Sequence, residues 1–343
     1  MVRVGSLEIS PPVVNSSCAW ASDYDQLREL FDCQFTGAVV TRTAMLNGFP
    51  EDETHTVRVF RSLYFSLNPP EVAFASENTS SINSYGYSPT PLLEYLNWIE
   101  KILDGASSSK PFIISVTASD PDSMSLIVST IQARREKYPQ IGIELNTSCP
   151  NIRGHPPAAY APRTLSSLLS VLADAWVADP TLTIGLKLPP YVYAAQFSEM
   201  IETLRALCTL KPGSGVASSP VAYLACTNTL GNSLLFADQV EDRASVTAEF
   251  AVPTALGGLA GDALHPLALG NVRSFAHALA SDGESGGLND VVIFGIGGVT
   301  SAAAAERMRK AGAQVVGCAT LLGKEGVRAF EIVSGTEEGV SDR

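Results

Sequence analysis

A regular alternation of apolar runs and amphipathic segments limits this chain to very few folds. Short apolar runs predict strands at residues 37–41, 112–116, 141–146, 182–188, 221–225, 291–294 and 314–318. Hydrophobic residues at helical spacing predict helices at residues 91–103, 122–137, 164–178, 195–207, 266–279 and 301–311. Strands that alternate with helices in this way form parallel βαβ units. The sequence therefore predicts an α/β fold built on a parallel sheet.

Polar side chains follow many different predicted strands. In a (β/α)8 barrel the carboxyl ends of all strands meet at one mouth, where the active site lies. We therefore favour a single-domain TIM barrel, residues 1–343, over an open doubly wound sheet, which the alternation also fits. The side chains expected at the mouth include Thr41, Arg42, Thr43, Asn146, Ser148, Cys149, Asn151, Lys187, Thr227, Asn228, Thr229, Gly297, Gly298 and Thr320.

The composition excludes several classes of partner. The formal net charge is −12 without a basic cluster, which argues against nucleic acid and anionic membranes as main partners. The six cysteines are scattered and form no metal-ligand spacing, so we expect free thiols and no metal. The sequence has neither a signal-peptide pattern nor an apolar stretch long enough for a membrane span. We expect a soluble, cytoplasmic protein.

The segment at residues 141–151 changes from an apolar strand into small polar side chains, a thiol and a Pro-Asn turn. The carboxamides of Asn146 and Asn151 offer a donor and an acceptor each, which suits hydrogen bonding to a heterocycle. A modest positive field near Cys149 would give a thiolate close to neutral pH. The alternative is that Cys149 is a small buried hydrophobe and the two asparagines cap a turn.

Lys187 lies within the apolar strand predicted at residues 182–188. Lysine is almost never fully buried without a partner. A central strand would therefore require an anionic or carbonyl-rich partner for Lys187, whereas an edge strand would leave it in solvent.

Two glycine-rich segments are typical of phosphate-binding turns. Gly257 and Gly258 precede Gly261, and Gly297 and Gly298 precede Thr300 and a predicted helix. Backbone N–H groups at such turns bind phosphate, and glycine allows close approach. Barrel phosphate sites favour the last βα loops, which agrees with both positions.

Three further assignments concern loops. Residues 47–56 and 81–87 are predicted loops, and the second is expected to contact a ligand. His155 is interpreted as a loop residue rather than a catalytic base.

Several segments together resemble the dihydroorotate dehydrogenases, specifically the soluble class that uses fumarate. Residues 144–151 read ELNTSCPN and resemble that family's ELNxSCPN, and residues 185–191 read GLKLPPY, similar to GVKLPPY. Residues 81–86 (SINSYG) resemble SINSMG, and residues 227–232 (TNTLGN) resemble VNSIGN. The resemblance spans about residues 9–333.

The resemblance implies a (β/α)8 barrel that binds FMN at its mouth and oxidises (S)-dihydroorotate to orotate in pyrimidine (UMP) biosynthesis. It implies that Cys149 is the base, that Lys187 stabilises charge on the reduced flavin, and that fumarate is reduced to succinate. It further implies a homodimer. Substrate contacts fall on Arg42, Asn83, Tyr85, Gly86, Tyr87, Asn146, Asn151, Asn228 and Thr229. Flavin contacts fall on Ser16, Ser17, Arg42, Thr43, Asn146, Lys187, Gly257, Gly258, Gly297, Gly298, Ala319 and Thr320.

The chain departs from the family pattern at four site positions. Arg42 replaces a lysine, Tyr85 a methionine, Cys18 a glycine and Ala319 a glycine. Arg is larger than Lys and forked, so this exchange is not neutral. Three alternatives remain open: a flavin barrel acting on another dihydropyrimidine-like or enone substrate, a non-catalytic FMN-binding barrel, and a flavin-free phosphate-binding barrel with a Schiff-base lysine. The sequence also leaves open quinone or NAD as the electron acceptor.

Overall fold

Eight parallel strands form a nearly closed barrel, which confirms the predicted TIM-barrel class. The computed structural model describes residues 1–50, 72–75, 79–149, 151, 157–210, 217–240, 248–282 and 287–336. In chain order, the barrel strands are Val13–Asn15, Val39–Val40, Phe112–Val116, Ile141–Asn146, Ile184–Leu188, Val221–Cys226, Val292–Ile296 and Val315–Cys318. Each pairs with its neighbours in this order, and a parallel bridge between Val14 and Ala38 joins the first strand to the second.

Helices follow the strands around the barrel. The six predicted helices are Leu92–Asp104, Pro121–Arg135, Ser166–Ala178, Ala194–Leu207, His265–Ala280 and Ala302–Ala311. Local capping explains several starts: the Asp120 side chain accepts from the backbone N–H of Ser123, and Ser301 accepts from Ala304. The sequence analysis missed the helices Tyr24–Asp32, Thr320–Glu325 and Arg328–Ser334, and also the first barrel strand.

Successive side chains of a barrel strand alternate between an outer apolar core and the barrel interior. Ile141, Ile143 and Leu145 of the fourth strand join the large cluster between the strands and helices, so Glu144 points inward. A second apolar cluster fills the interior and includes Val14, Val40, Ile113, Tyr223 and Phe294. The barrel is therefore a packed core with its chemistry restricted to the carboxyl end.

A four-stranded antiparallel sheet lies at the carboxyl end of the barrel. Its strands, in spatial order, are Leu230–Leu234, Leu256–Gly261, Ser80–Asn83 and Val72–Phe74. They are insertions after the second and sixth barrel strands, before the helices that follow. The hydroxyls of Ser81 and Thr320 lie 3.1 Å apart, so this sheet contacts the end of the eighth strand.

This sheet corrects two predictions. The loop predicted at residues 81–87 is wrong at its start, because Ser80–Asn83 is a strand. The phosphate-binding turn predicted at Gly257 and Gly258 is also wrong, since both lie within a strand. A Cβ at Gly257 would lie 2.5 Å from the Asn83 carbonyl oxygen, and one at Gly258 would lie 2.2 Å from Thr229 Oγ1. These glycines are therefore required for close strand packing.

A short N-terminal hairpin closes the amino end of the barrel. Val2–Val4 pairs with Leu7–Ile9, and the Ser6 backbone N–H donates to Thr183 Oγ1 at 3.0 Å. No helix in the described part of the chain is long and apolar enough to span a membrane, and no three potential ligands there could hold a metal. Residues 51–56 of the predicted 47–56 loop and His155 lie outside the described residues.

Candidate active site

One cleft at the carboxyl ends of the barrel strands collects nearly all of the site residues that the sequence predicted. A wider part of about 760 Å³ adjoins a narrower part of about 440 Å³, and Lys187 lines both. The wider part contains Ser17, Arg42, Thr43, Asn83, Tyr85, Gly86, Tyr87, Asn146, Cys149, Asn151, Asn228, Thr229, Ala319 and Thr320, and the narrower part adds Ser16, Gly297 and Gly298. Gly257 and Gly258 do not line it.

Four asparagines from three segments of the chain form two hydrogen-bonded pairs in this cleft. The Asn151 side-chain amide donates to Asn83 Oδ1 at 3.1 Å and to the Tyr85 carbonyl at 2.8 Å. The Asn228 side-chain amide donates to Asn146 Oδ1 at 3.2 Å. Asn146 in turn donates to Thr43 Oγ1 at 2.9 Å. These bonds fix the amide orientations, so the asparagines can present defined donors and acceptors to a planar ring.

Cys149 lines the same part of the cleft as the four asparagines and is half-buried. Its Sγ lies 3.8 Å from the Tyr85 carbonyl oxygen. Burial raises the pKa of the thiol to about 11, although the Asn151 backbone and the Arg42 guanidinium lower it. The expectation of a thiolate near neutral pH is therefore wrong for this structure, because desolvation outweighs the positive field.

Arg42 is buried and lies beside Tyr85. Its Cζ lies 5.1 Å from the centre of the Tyr85 ring, which is a cation–π distance. Its Nη2 donates to the carbonyl oxygens of Gly86 at 3.2 Å and Tyr87 at 3.3 Å. Arg42 and Tyr85, which both depart from the family pattern, therefore contact each other. Together with the two hydrogen bonds, this contact holds the loop at residues 84–87 against the barrel.

Lys187 is only 3% exposed on the inward face of the fifth strand. Both neighbouring strands pair with this strand, so the edge-strand alternative is wrong. Its Nζ donates to Ser16 Oγ. Burial lowers the pKa of Lys187, whereas the nearby Glu144 carboxylate raises it. This buried cation lies where the wide and narrow parts of the cleft meet.

The glycine turn after the seventh strand has the predicted form. Gly297 has a φ of 119° and Gly298 a φ of 66°, which favour glycine. A Cβ at Gly298 would lie 2.5 Å from His265 Cβ. The turn lines the narrow part of the cleft together with Thr300, so its backbone can approach a phosphate closely.

Several residues of the cleft had no predicted contact with substrate or flavin, although Thr227 was expected at the mouth and Ser81 in a ligand-contacting loop. Trp20, Ser81 and Ala260 line the wider part, and Thr227 lines the narrower part. Thr227 is 2% exposed, and its Oγ1 has no hydrogen-bond partner among the described residues. Its position directly before Asn228, at the end of the sixth strand, is the sequence signal that identifies it.

The comparisons with known proteins agree on one family. The family model described as "Dihydroorotate dehydrogenase" matches residues 68–337. A Streptococcus pyogenes serotype M18 protein named "Putative dihydroorotate dehydrogenase A (fumarate)" is 26% identical over 332 residues, 97% of this chain and 90% of its own length. A Streptococcus agalactiae serotype Ia protein of the same name is 28% identical over 265 residues, 77% of this chain and 74% of its own length.

The family match covers most of the chain and includes the last six barrel strands and the four strands of the inserted sheet. It agrees with the cleft in which Cys149, the four asparagines and Lys187 converge. The chain therefore belongs to the dihydroorotate dehydrogenase family of oxidoreductases.

Proposed function

We propose that this protein is an FMN-dependent enzyme that oxidises (S)-dihydroorotate to orotate in pyrimidine biosynthesis, with fumarate as the electron acceptor. The observation that carries the proposal is the convergence of Cys149, four asparagines and Lys187 on one cleft. The polar groups suit a ring with imide and carboxylate groups, and the buried lysine suits a cofactor that becomes negatively charged. The names of the streptococcal relatives support the same substrate and acceptor.

The cleft residues fit FMN in two respects. The Gly297–Gly298 turn lines the narrow part of the cleft with φ values that favour glycine, so its backbone borders the space that a phosphate would occupy. Thr227 Oγ1 is buried without a hydrogen-bond partner among the described residues, so a polar cofactor in the narrow part would satisfy it. Ser16, Ser17, Thr43, Lys187, Ala319 and Thr320 would complete the cofactor site. Gly257 and Gly258 are not included, because they pack inside the sheet.

The protein residues supply the proton chemistry. Bound FMN supplies a hydride acceptor for C6 of dihydroorotate. Cys149, as the thiolate, takes the proton from C5, so that the C5–C6 single bond becomes the double bond of orotate. The thiol then returns this proton to solvent. Lys187 keeps a positive charge in a site where negative charge develops, which stabilises that charge without reorganisation.

Substrate orientation falls to the fixed amides. Asn83 and Asn151 form one hydrogen-bonded pair in the cleft and Asn146 and Asn228 form a second, and Thr229 also lines the cleft. Because each pair is hydrogen-bonded internally, the remaining donors and acceptors are directed before the substrate binds. Arg42 provides a positive charge for the substrate carboxylate, and the loop containing Tyr85, Gly86 and Tyr87 closes over it.

One observation favours a second candidate. The stacking of Arg42 on Tyr85 changes both the shape and the charge distribution of the wall that would hold the substrate carboxylate. A related dihydropyrimidine or enone substrate is the alternative that this contact supports.

A steady-state assay tests the proposal directly. Dihydroorotate and fumarate should be converted to orotate and succinate in equal amounts, and Cys149→Ser should abolish most of this turnover while FMN is retained. A Cys208→Ser variant is the matched control, because that thiol is half-buried away from the cleft. Turnover of another ring but not of dihydroorotate would favour the second candidate.

A further inference from the structure

Two ionisable side chains share the interior of the barrel below the cleft. Glu144 and Lys187 belong to adjacent parallel strands, and Glu144 lies opposite Gly185 in the register. Glu144 is 2% exposed and Lys187 is 3% exposed. Buried charges of this kind are retained only when they are paired, because an isolated charge in an apolar interior is very costly. The pair therefore requires an explanation beyond packing.

Tyr223 holds Glu144 in place. The Tyr223 hydroxyl donates to Glu144 Oε2 at 3.1 Å, and its ring stacks on Phe294 with centroids 4.1 Å apart. A Cβ at Gly185 would lie 1.9 Å from the Tyr223 ring, so the glycine provides the space that the ring occupies. The second carboxylate oxygen, Oε1, has no hydrogen-bond partner among the described residues. Three residues thus fix a carboxylate and leave one of its oxygens unbonded.

The surroundings of Lys187 contain one group that can carry a negative charge at neutral pH. Its electrostatic neighbours are Glu144, Cys18 and Cys226. Burial raises the pKa of Cys18 to about 11, and it raises that of Cys226 further, so both thiols are neutral at pH 7. Ser16, which accepts the hydrogen bond from Lys187, is uncharged. In the part of the chain that the structure describes, Glu144 is the only buried carboxylate near Lys187, and it is the group that could balance the charge of the lysine.

We propose that Glu144 is the internal counter-ion of Lys187, held by Tyr223, and that it keeps the lysine charged for the cofactor. It is a positioning residue, because it acts through Lys187 rather than by contact with the substrate. The role in cofactor chemistry rests on the proposed FMN function, but the charge pair itself does not. Burial raises the pKa of Glu144 and lowers that of Lys187, and each partly offsets the shift of the other.

The first test compares stability against pH for the purified protein and four variants. In Glu144→Gln, the lysine loses its counter-ion and its pKa falls further. The unfolded state then binds a proton that the folded state does not, so stability should rise with pH towards the ordinary lysine value of 10.5, more steeply than in the wild type. In Lys187→Met, the pKa of Glu144 rises further, so stability should fall as pH increases above 4.5.

The double variant should remove both slopes and be more stable than either single variant, because no unpaired charge remains. Thr183→Val is the matched control: it loses a buried hydroxyl just before the same strand, and its stability should fall without a change in pH dependence. A Glu144→Gln profile parallel to that of the wild type, or additive effects in the double variant, would overturn the pairing.

The second test measures the midpoint potential of bound FMN against pH, with a chemical reductant. As pH increases, reduction of the bound FMN should change from uptake of one proton to uptake of two protons per two electrons, at the pH where Lys187 loses its proton in the oxidised protein. In Glu144→Gln this pH should be lower by at least about one unit, which is a tenfold change in the ionisation constant of the lysine. Glu144→Asp, which keeps the charge, should retain most of the wild-type profile. An unchanged transition in Glu144→Gln would refute the cofactor role of Glu144 alone. A wild-type protein that binds no FMN would refute the proposed function, and the stability profiles would then decide the pairing.

Discussion

The rate at which dihydroorotate reduces the bound flavin should depend steeply on pH. The structure gives the Cys149 thiol a pKa of about 11, because burial outweighs the effects of Arg42 and the Asn151 backbone. Only the thiolate can take the C5 proton. At pH 8, three units below that pKa, roughly one thiol in a thousand is ionised, and this fraction increases about tenfold per pH unit. The rate should therefore increase about a hundredfold between pH 7 and pH 9.

Anaerobic stopped-flow absorbance measures the reduction of the flavin by dihydroorotate separately from its reoxidation by fumarate. Saturating dihydroorotate is mixed with the oxidised protein at each pH, and the bleaching of the flavin band is followed. Cys149→Ser is the control, because it should be slow throughout this range and lack the wild-type rise. A wild-type rate that is flat from pH 7 to pH 9, or a Cys149→Ser profile with the wild-type slope, would refute the assignment of Cys149 as the base.

Four variants, and one control variant, test other parts of the site and the fold. Cys149→Ser should lower turnover by roughly 10²- to 10⁴-fold in a steady-state assay, with flavin content unchanged. Lys187→Ala should lower the ratio of flavin to protein absorbance or slow flavin reduction, and normal values of both would contradict its placement. Gly185→Ala should lower the free energy of unfolding by about 1–3 kcal/mol in urea titrations, because its Cβ meets the Tyr223 ring. Gly270→Ala is its control and should be neutral or stabilising, since nothing lies within 4 Å of its added Cβ. Arg42→Lys should raise the KM for dihydroorotate by roughly three- to tenfold, because the bonds to two loop carbonyls are lost.

The sequence predicts a strand or helix of the barrel well where the apolar residues of that element follow one clear pattern. The strand Phe112–Val116 is clear because four of its five residues are apolar, and the helix Leu92–Asp104 is clear because its apolar residues recur at helical spacing. The strand Val39–Val40 lies within the predicted 37–41 strand, although only two residues pair. Val13–Asn15 has three residues and follows two prolines, so it lacks a firm strand pattern. Their place in the sheet is determined by neighbours that are distant in sequence.

The inserted sheet shows what local patterns cannot specify. Ser80–Asn83 is polar and contains two consecutive serines, so it has a loop composition, yet it pairs with Leu256–Gly261 more than 170 residues later. Gly257 and Gly258 have the composition of a turn, but their requirement is close strand contact. The prediction that another group approaches these two glycines closely was correct, but that group is a neighbouring part of the chain and not a phosphate.

The candidate site was predicted largely from motifs, and its electrostatics were not. Cys149 could be identified from its position after a strand and Lys187 from its position within one, but the raised pKa of the thiol depends on its burial in the folded protein. The contact between Arg42 and Tyr85 likewise joins positions that are separated by 43 residues and appeared independent in sequence.

An anaerobic absorbance spectrum of the purified protein, recorded before and after addition of dihydroorotate and then of fumarate, examines cofactor, substrate and acceptor together. The spectrum of bound FMN should bleach with dihydroorotate and return with fumarate. A colourless protein, or a flavin that stays oxidised when dihydroorotate is added, would contradict the proposed function.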